Sequence, residues 1–179
     1  NPTGNVILDD ELERISDLAR RSKVPLIVDN AYGMPFPNIM FTPASLVWEQ
    51  HMILCMSLSK MGLPGVRTGI IIASEQIVAA LSRMNAIFSL APGSFGPALA
   101  LDLVETGDIL SLCKNVIRPY YQRKAEFATT ILKRELEGVD FYIHKTEGAL
   151  FLWLWVPGLP AGCEQLYQRL KTRSVLVVP

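Results

Sequence analysis

Between Ser57 and Gly69 the chain reads Ser57-Leu58-Ser59-Lys60-Met61-Gly62-Leu63-Pro64-Gly65-Val66-Arg67-Thr68-Gly69. A lysine held at the end of a strand sheds hydration, and desolvation disfavours its ammonium form. The neutral amine attacks carbonyls and forms Schiff bases. Arg67, across a Gly/Pro turn, offers a planar fork for a phosphate, with serine hydroxyls and glycine N–H groups alongside. The plainer reading is a surface loop with both cations solvated, and Ser57-Leu58-Ser59-Lys60 in isolation would favour it. What precedes it changes that balance.

Val24-Pro25-Leu26-Ile27-Val28 is a short apolar run that ends on Asp29. An acid directly after such a strand stands at the carboxyl edge of a sheet, where open α/β folds bind ligands. Tyr32 follows in Asn30-Ala31-Tyr32-Gly33, ahead of a loop rich in proline. Alone, Asp29 is a turn residue and Tyr32 a core aromatic with a satisfied hydroxyl. Asn1-Pro2-Thr3-Gly4 is turn chemistry. Asn1, Asp29, Tyr32, Ser57, Lys60 and Arg67 all fall at strand ends or Gly/Pro turns. That set matches what pyridoxal 5′-phosphate requires.

The elements around these residues read as α/β. Met52 to Met56 and Ile70 to Ala73 are apolar runs of strand length bounded by Gly and Pro, as in buried strands of a parallel sheet. A helix is expected after Asp10, with Glu13 completing a capping box and Leu12, Ile15, Leu18 and Ala19 at helical spacing. Ser74 is placed to cap a helix in which Met84 and Phe88 are core contacts. Phe95 to Val104 reads as another apolar helix. Asp108 opens a long pattern to Leu136, which Pro119 should kink. Beyond it, 140–143, 149–156 and 174–178 read as strands and 163–171 as a helix. The change of texture places a domain boundary at the kink, giving 1–118 and 119–179.

Composition narrows the class. Of 179 residues, 17 are basic and 17 acidic, and no basic run appears, so nucleic-acid binding has no electrostatic footprint. No apolar run approaches the ~18 residues of a membrane helix. Cys55, Cys113 and Cys163 are odd in number and far apart, as in reduced cytoplasmic thiols. His51 and His144 lack metal-ligand spacing, so no metal is expected. The chain opens without Met and closes in an apolar run at Pro179, which reads as a piece of a longer protein.

The motifs Asn1-Pro2-Thr3-Gly4, Asp29-Asn30-Ala31-Tyr32, Ser57-Leu58-Ser59-Lys60 and Gly65-Val66-Arg67-Thr68-Gly69 resemble those of the fold-type I, aspartate-aminotransferase-like pyridoxal phosphate enzymes, in that family's order and along essentially the whole chain. Asp29 to Pro37, Cys55 to Lys60 and Glu147 to Trp155 look most like the branch that exchanges valine with pyruvate. The resemblance implies part of a pyridoxal phosphate-binding large domain, mostly parallel in its sheet, joined to part of a small α+β domain. It implies that Lys60 holds the cofactor and moves the substrate's Cα proton. Asp29 would pair with the pyridine nitrogen. Tyr32 and Asn1 would bond its phenolic oxygen, and Ser57 and Arg67 its phosphate. A Gly-Ser/Thr phosphate turn and a stacking aromatic are implied before Asn1, and a carboxylate-binding arginine after Pro179. A ping-pong exchange of amino acid and 2-oxo acid in a cytoplasmic homodimer follows from the same resemblance. Two other outcomes share these residues: a carbon–sulfur β-lyase, and a cofactor-sensing regulatory domain of a transcription factor.

Overall fold

The computed structural model describes residues 3–179, so Asn1 lies outside the described residues. Helix α1 spans Asp9–Arg21. Asp9, Asp10 and Glu11 stand at its positive end and Arg20 and Arg21 at its negative end, as the helix dipole favours. The cap differs from the Asp10–Glu13 box the sequence suggests. The helix starts two residues earlier, after Leu8, and the Glu11 carboxylate accepts the Leu8 N–H at 3.0 Å. Asp9 is engaged elsewhere, accepting the Ser45 N–H at 2.6 Å, a bond that holds its carboxyl below the usual range.

Three strands form the main sheet, β1 (Leu26–Asp29), β2 (Met52–Ser57) and β3 (Gly69–Ile72), in that spatial order. Strands β1 and β2 run parallel, with Leu26 opposite Met52 and Asp29 opposite Cys55. Strand β3 runs antiparallel to β2, with Ser57 opposite Gly69. The sequence expectation of parallel strands on both sides of the lysine loop is thus corrected for β3. A parallel return needs a crossover of about a dozen residues or more, usually a helix. Leu58 to Thr68 contains only two 3₁₀ turns, Ser59–Met61 and Pro64–Val66.

Side chains alternate along β2, and Met52, Leu54 and Met56 are buried. Leu54, Met56 and Leu58 pack with Phe36, with Ala100 of α3 (Phe95–Glu105), with Ile109 of α4 (Asp108–Leu112) and with Cys113. Leu54 is 1% exposed at the centre of this cluster. Leu54→Ala in the full-length protein should therefore cost about 2–5 kcal/mol, through lost burial plus the cavity left behind. Denaturant unfolding will show it as a lowered midpoint at unchanged slope. Helix α2 (Glu75–Ser89) behaves differently from its sequence reading. Met84 and Phe88 are 53% and 82% exposed, because among the described residues no element packs extensively against that face.

The long helix expected from Asp108 onward is interrupted before Pro119. A π-turn, Cys113–Ile117, separates α4 from α5 (Arg118–Glu135), and the Arg118 N–H donates to the Cys113 carbonyl five residues back. Widening the turn accommodates a proline that has no N–H to give and whose ring crowds the preceding turn. Beyond α5, β4 (Tyr142–Ile143) and β5 (Leu154–Trp155) pair antiparallel, with Tyr142 stacked on Trp155 at 5.2 Å. Helix α6 occupies Cys163–Lys171 as expected. Residues 174–178 form no strand, since no described strand lies alongside to pair with them.

Much of the stretch expected as a strand from Ala149 instead departs from a tie around Glu147. The Glu147 carbonyl accepts from the N–H groups of Phe41 (2.7 Å) and Thr42 (3.2 Å), and its own N–H donates to the Gly4 carbonyl at 2.8 Å. Its carboxylate accepts the Val6 N–H at 3.2 Å and pairs with Lys145 at 3.0 Å. The hydrogen bond from Lys145 and then that from Val6 hold this carboxyl below the ordinary glutamate value of 4.5, against a smaller desolvation effect. A depressed carboxyl stabilises the fold above its unfolded value, and that contribution is lost as pH falls through the folded one. Glu147→Gln should thus lower stability at pH 7, with the gap to the parent protein narrowing as pH falls below 4.5. Unfolding midpoints across that range check it.

Candidate active site

Parallel pairing sends the ends of β1 and β2 to one edge of the sheet, so Asp29 and Ser57 emerge on the same side. The antiparallel return of β3 then decides where Arg67 lies. Because Gly69 pairs with Ser57, the residues just before β3 come back to that same edge. A parallel β3 would have begun at the opposite edge. The strand direction missed in the sequence is therefore what brings the guanidinium and the serine together.

Lys60 sits in the 3₁₀ turn immediately after β2. Leu58, which is buried, pins that turn, and its N–H donates to the Thr68 carbonyl at 3.1 Å. Gly62 ends the turn at φ 93°, a backbone state that favours glycine. The Lys60 Nζ stands 5.3 Å from the centre of the Tyr32 ring, whose edge packs on Phe151 at 6.5 Å. Beneath Lys60 a cavity of about 220 Å³ is walled by Met61, Val116, Tyr120 and Tyr121. The two tyrosines escaped the sequence reading because they sit within a helical apolar pattern.

The Ser57 hydroxyl oxygen accepts the Ser59 N–H at 3.1 Å, which leaves its proton free to donate outward. Arg67 is exposed in the left-handed region (φ 48°, ψ 44°), with Nη1 donating to the Pro64 carbonyl at 3.4 Å. A non-glycine residue held there costs about 1–3 kcal/mol and persists only where its surroundings fix it. One such support is α3: a Cβ on Gly96 would stand 2.0 Å from the Thr68 hydroxyl, so only glycine lets the helix approach the arginine turn. No sequence signal marked Gly96.

Asp29 Oδ1 accepts the Ala31 N–H at 3.2 Å, and the carboxylate remains exposed at the edge. Cys55 stands opposite it across the ladder, its thiol pushed up by burial and then by the Asp29 charge. Cys113, in the core, is pushed up to about 11 by burial. Met34 faces a second cavity of about 220 Å³ with Asp29, Asn30 and Tyr32, and no lysine or arginine is among its described walls. Phe36 does not join it. At 7% exposed it packs under β2 in the core, so of these two loop side chains only Met34 faces the cavity.

The sheet edge thus gathers a carboxylate, a phenol, a primary amine, a hydroxyl and a guanidinium. Among the described residues no carboxylate lies within ion-pair reach of Lys60 or Arg67, and Asp29 has no cationic partner. Uncommitted charges of this kind fit a ligand with a carbonyl, a basic ring nitrogen and a phosphate. The Aminotransferase class I and II family model matches residues 1–179, and the chain belongs to that family. Enzymes of this family use pyridoxal 5′-phosphate, which the residues at the edge suit.

Three relatives carry the comparison further. The chain is 51% identical to the valine–pyruvate aminotransferase of Escherichia coli, over 100% of this chain and 43% of that protein. It superposes on the crystal structure of valine–pyruvate aminotransferase from Salmonella typhimurium with a TM-score of 0.93 at 51% identity, covering 100% of this chain and 46% of that one. The α-aminoadipate aminotransferase of Thermus thermophilus, complexed with N-(5′-phosphopyridoxyl)-L-leucine, shares the fold at a TM-score of 0.85 and 22% identity, over 100% of this chain and 46% of that one. The chain therefore spans less than half the length of the relatives it matches.

Proposed function

We propose that the full-length protein carrying this chain is a pyridoxal phosphate-dependent aminotransferase that exchanges the amino group between a small aliphatic amino acid and a 2-oxo acid, valine with pyruvate foremost. The observation that carries this reading is the convergence of Asp29, Tyr32, Ser57, Lys60 and Arg67 on one sheet edge. Half identity to valine–pyruvate aminotransferases supports the substrate pair. By the same reading residues 1–118 belong to a large domain and 119–179 to a small one. The protein would act in the cytoplasm as a homodimer. Among the described residues no helix is long and apolar enough to cross a membrane.

Bound at this edge, the cofactor supplies a protonated ring that takes up the electron pair left when the substrate's Cα proton departs. Asp29 keeps the ring nitrogen protonated by pairing with its N–H. Ser57 donates its free hydroxyl proton to the phosphate, and Arg67 binds the same group with its guanidinium. The Tyr32 hydroxyl bonds the phenolic oxygen. Lys60 would hold the cofactor through Nζ and would serve as the base that takes up the substrate's Cα proton.

The cavity beside Met34 supports the preference for aliphatic substrates. A second carboxylate entering it would find no described cation, and a buried, unpaired carboxylate costs several kcal/mol. One methylene more or less is worth only about 1–3 kcal/mol there. Valine, alanine and 2-aminobutyrate should therefore show similar kcat/KM, with aspartate and glutamate about 10²-fold or more lower. Steady-state kinetics with each donor and pyruvate or a matching 2-oxo acid test both the activity and the preference. Efficient use of aspartate would overturn the substrate assignment. Release of ammonia and pyruvate without amino-group exchange would favour the β-lyase.

A further inference from the structure

Tyr32 owes its position to a turn that one side chain holds together. The Asn30 side-chain amide donates to the Met34 carbonyl, and the Gly33 N–H donates to the Asn30 carbonyl at 3.2 Å. The Asn30 amide oxygen lies directly under Gly33: a Cβ added there would stand 1.8 Å from it. Gly33 is buried and its φ lies outside the left-handed region, so glycine is required for space and not for backbone freedom. On the far side of the turn, Ile39 N–H donates to the Tyr32 carbonyl at 2.8 Å and Asn38 N–H to the Gly33 carbonyl at 2.9 Å. Among the described residues no other side chain hydrogen-bonds the backbone of 32–37.

We propose that Asn30 and Gly33 form a lock in which the amide, seated under the glycine, fixes Tyr32 beside Lys60, which makes Asn30 a positioning residue for the proton chemistry at Lys60. The effect on Lys60 rests on the function proposed above; the lock itself rests only on the turn. With the Tyr32 ring 5.3 Å from Lys60 Nζ, a shift of the turn moves an aromatic face and a hydroxyl relative to the amine. Small misplacements of this kind change both ionisation and rate. The lock also couples two positions. A methyl on Gly33 must displace the Asn30 side chain, so Gly33→Ala and Asn30→Ala break the same contact. Their effects must overlap and not add.

The test uses full-length Asn30→Ala, Gly33→Ala and the double variant, with two readouts. In the cofactor-free proteins, hydrogen exchange at the Asn38 and Ile39 amides should be about tenfold faster in each single variant, and no faster in the double. In the loaded proteins, the pH midpoint of the lysine-linked cofactor's visible band should move by about half a unit or more in the same direction in all three. Asn30→Ser, which removes the amide donor but leaves a small polar side chain, should reproduce these changes and serves if Asn30→Ala does not fold. Additive effects in the double variant, or exchange as slow as in the parent, would overturn the lock. Faster exchange with an unmoved midpoint would confine Asn30 to stabilising the turn and overturn the positioning role. A parent protein that forms no visible band with pyridoxal phosphate would overturn the functional reading, while the exchange arm would still report on the lock.

Discussion

Lys60→Ala in the full-length protein should abolish transamination, by more than about 10⁴-fold, and remove the visible band of the lysine-linked cofactor. On the proposed function two contributions would be lost together: the amine that anchors the cofactor and the base that moves the Cα proton. General acid–base catalysis alone is worth about 10²–10⁴-fold, and covalent anchoring adds to it. Lys23 and Lys145 are placed to do neither. Lys23 lies before β1, at the edge of the sheet opposite Asp29, and Lys145 is paired with Glu147 at 3.0 Å. Borohydride reduction of the parent protein followed by peptide mapping should find the cofactor fixed to the peptide containing Lys60. A label on Lys23 or Lys145 would refute the assignment.

Asp29→Asn is expected to separate cofactor binding from catalysis. The amide preserves shape but removes the charge proposed to keep the ring nitrogen protonated. Cofactor retention should change little, since Ser57, Lys60 and Arg67 are untouched. Turnover should fall by about 10²–10³-fold, the range for losing one preorganised electrostatic group in an active site. Each tenfold corresponds to about 1.4 kcal/mol of transition-state stabilisation. Exchange of the substrate's Cα proton with deuterated solvent should slow in parallel, because that is the step the charged ring assists. Turnover near that of the parent would eliminate the role given to Asp29.

The chemistry at the sheet edge was legible because it depends on local signals. Short apolar runs ended by Asp29 and Ser57 announce strand ends, and a Gly/Pro-rich stretch with one amine and one guanidinium announces a built turn. What was not legible depends on long-range placement. The direction of β3 is decided by the lack of a crossover helix between Leu58 and Thr68, a feature that apolar periodicity does not register. Phe36 and Met34, two residues apart in one loop, diverge, one under β2 and the other into a cavity. Met84 and Phe88 keep a core-like spacing, yet burial needs a partner surface as well as a stripe. The cap of α1 lies two residues before Asp10, at Leu8, and Asp9 is drawn to Ser45, far along the chain. No local signal marks Glu147 as a tie, since the groups it joins at Gly4, Val6, Phe41 and Thr42 are all far from it in sequence.

That tie sets an order of events during synthesis. The bond from Val6 N–H to the Glu147 carboxylate closes a loop between residues 141 apart, and the bonds to Gly4, Phe41 and Thr42 depend on the same late segment. Contacts between distant residues form only after the loop entropy has been met, and they slow folding accordingly. A chain emerging from the ribosome can pair β1 with β2 and fold the lysine turn long before Glu147 exists. The segment from Gly4 to Val6 cannot make these bonds until Glu147 has been made. A nascent chain stalled before Glu147 would therefore present Lys60 and Asp29 in place while Gly4 to Val6 remained open to proteolysis.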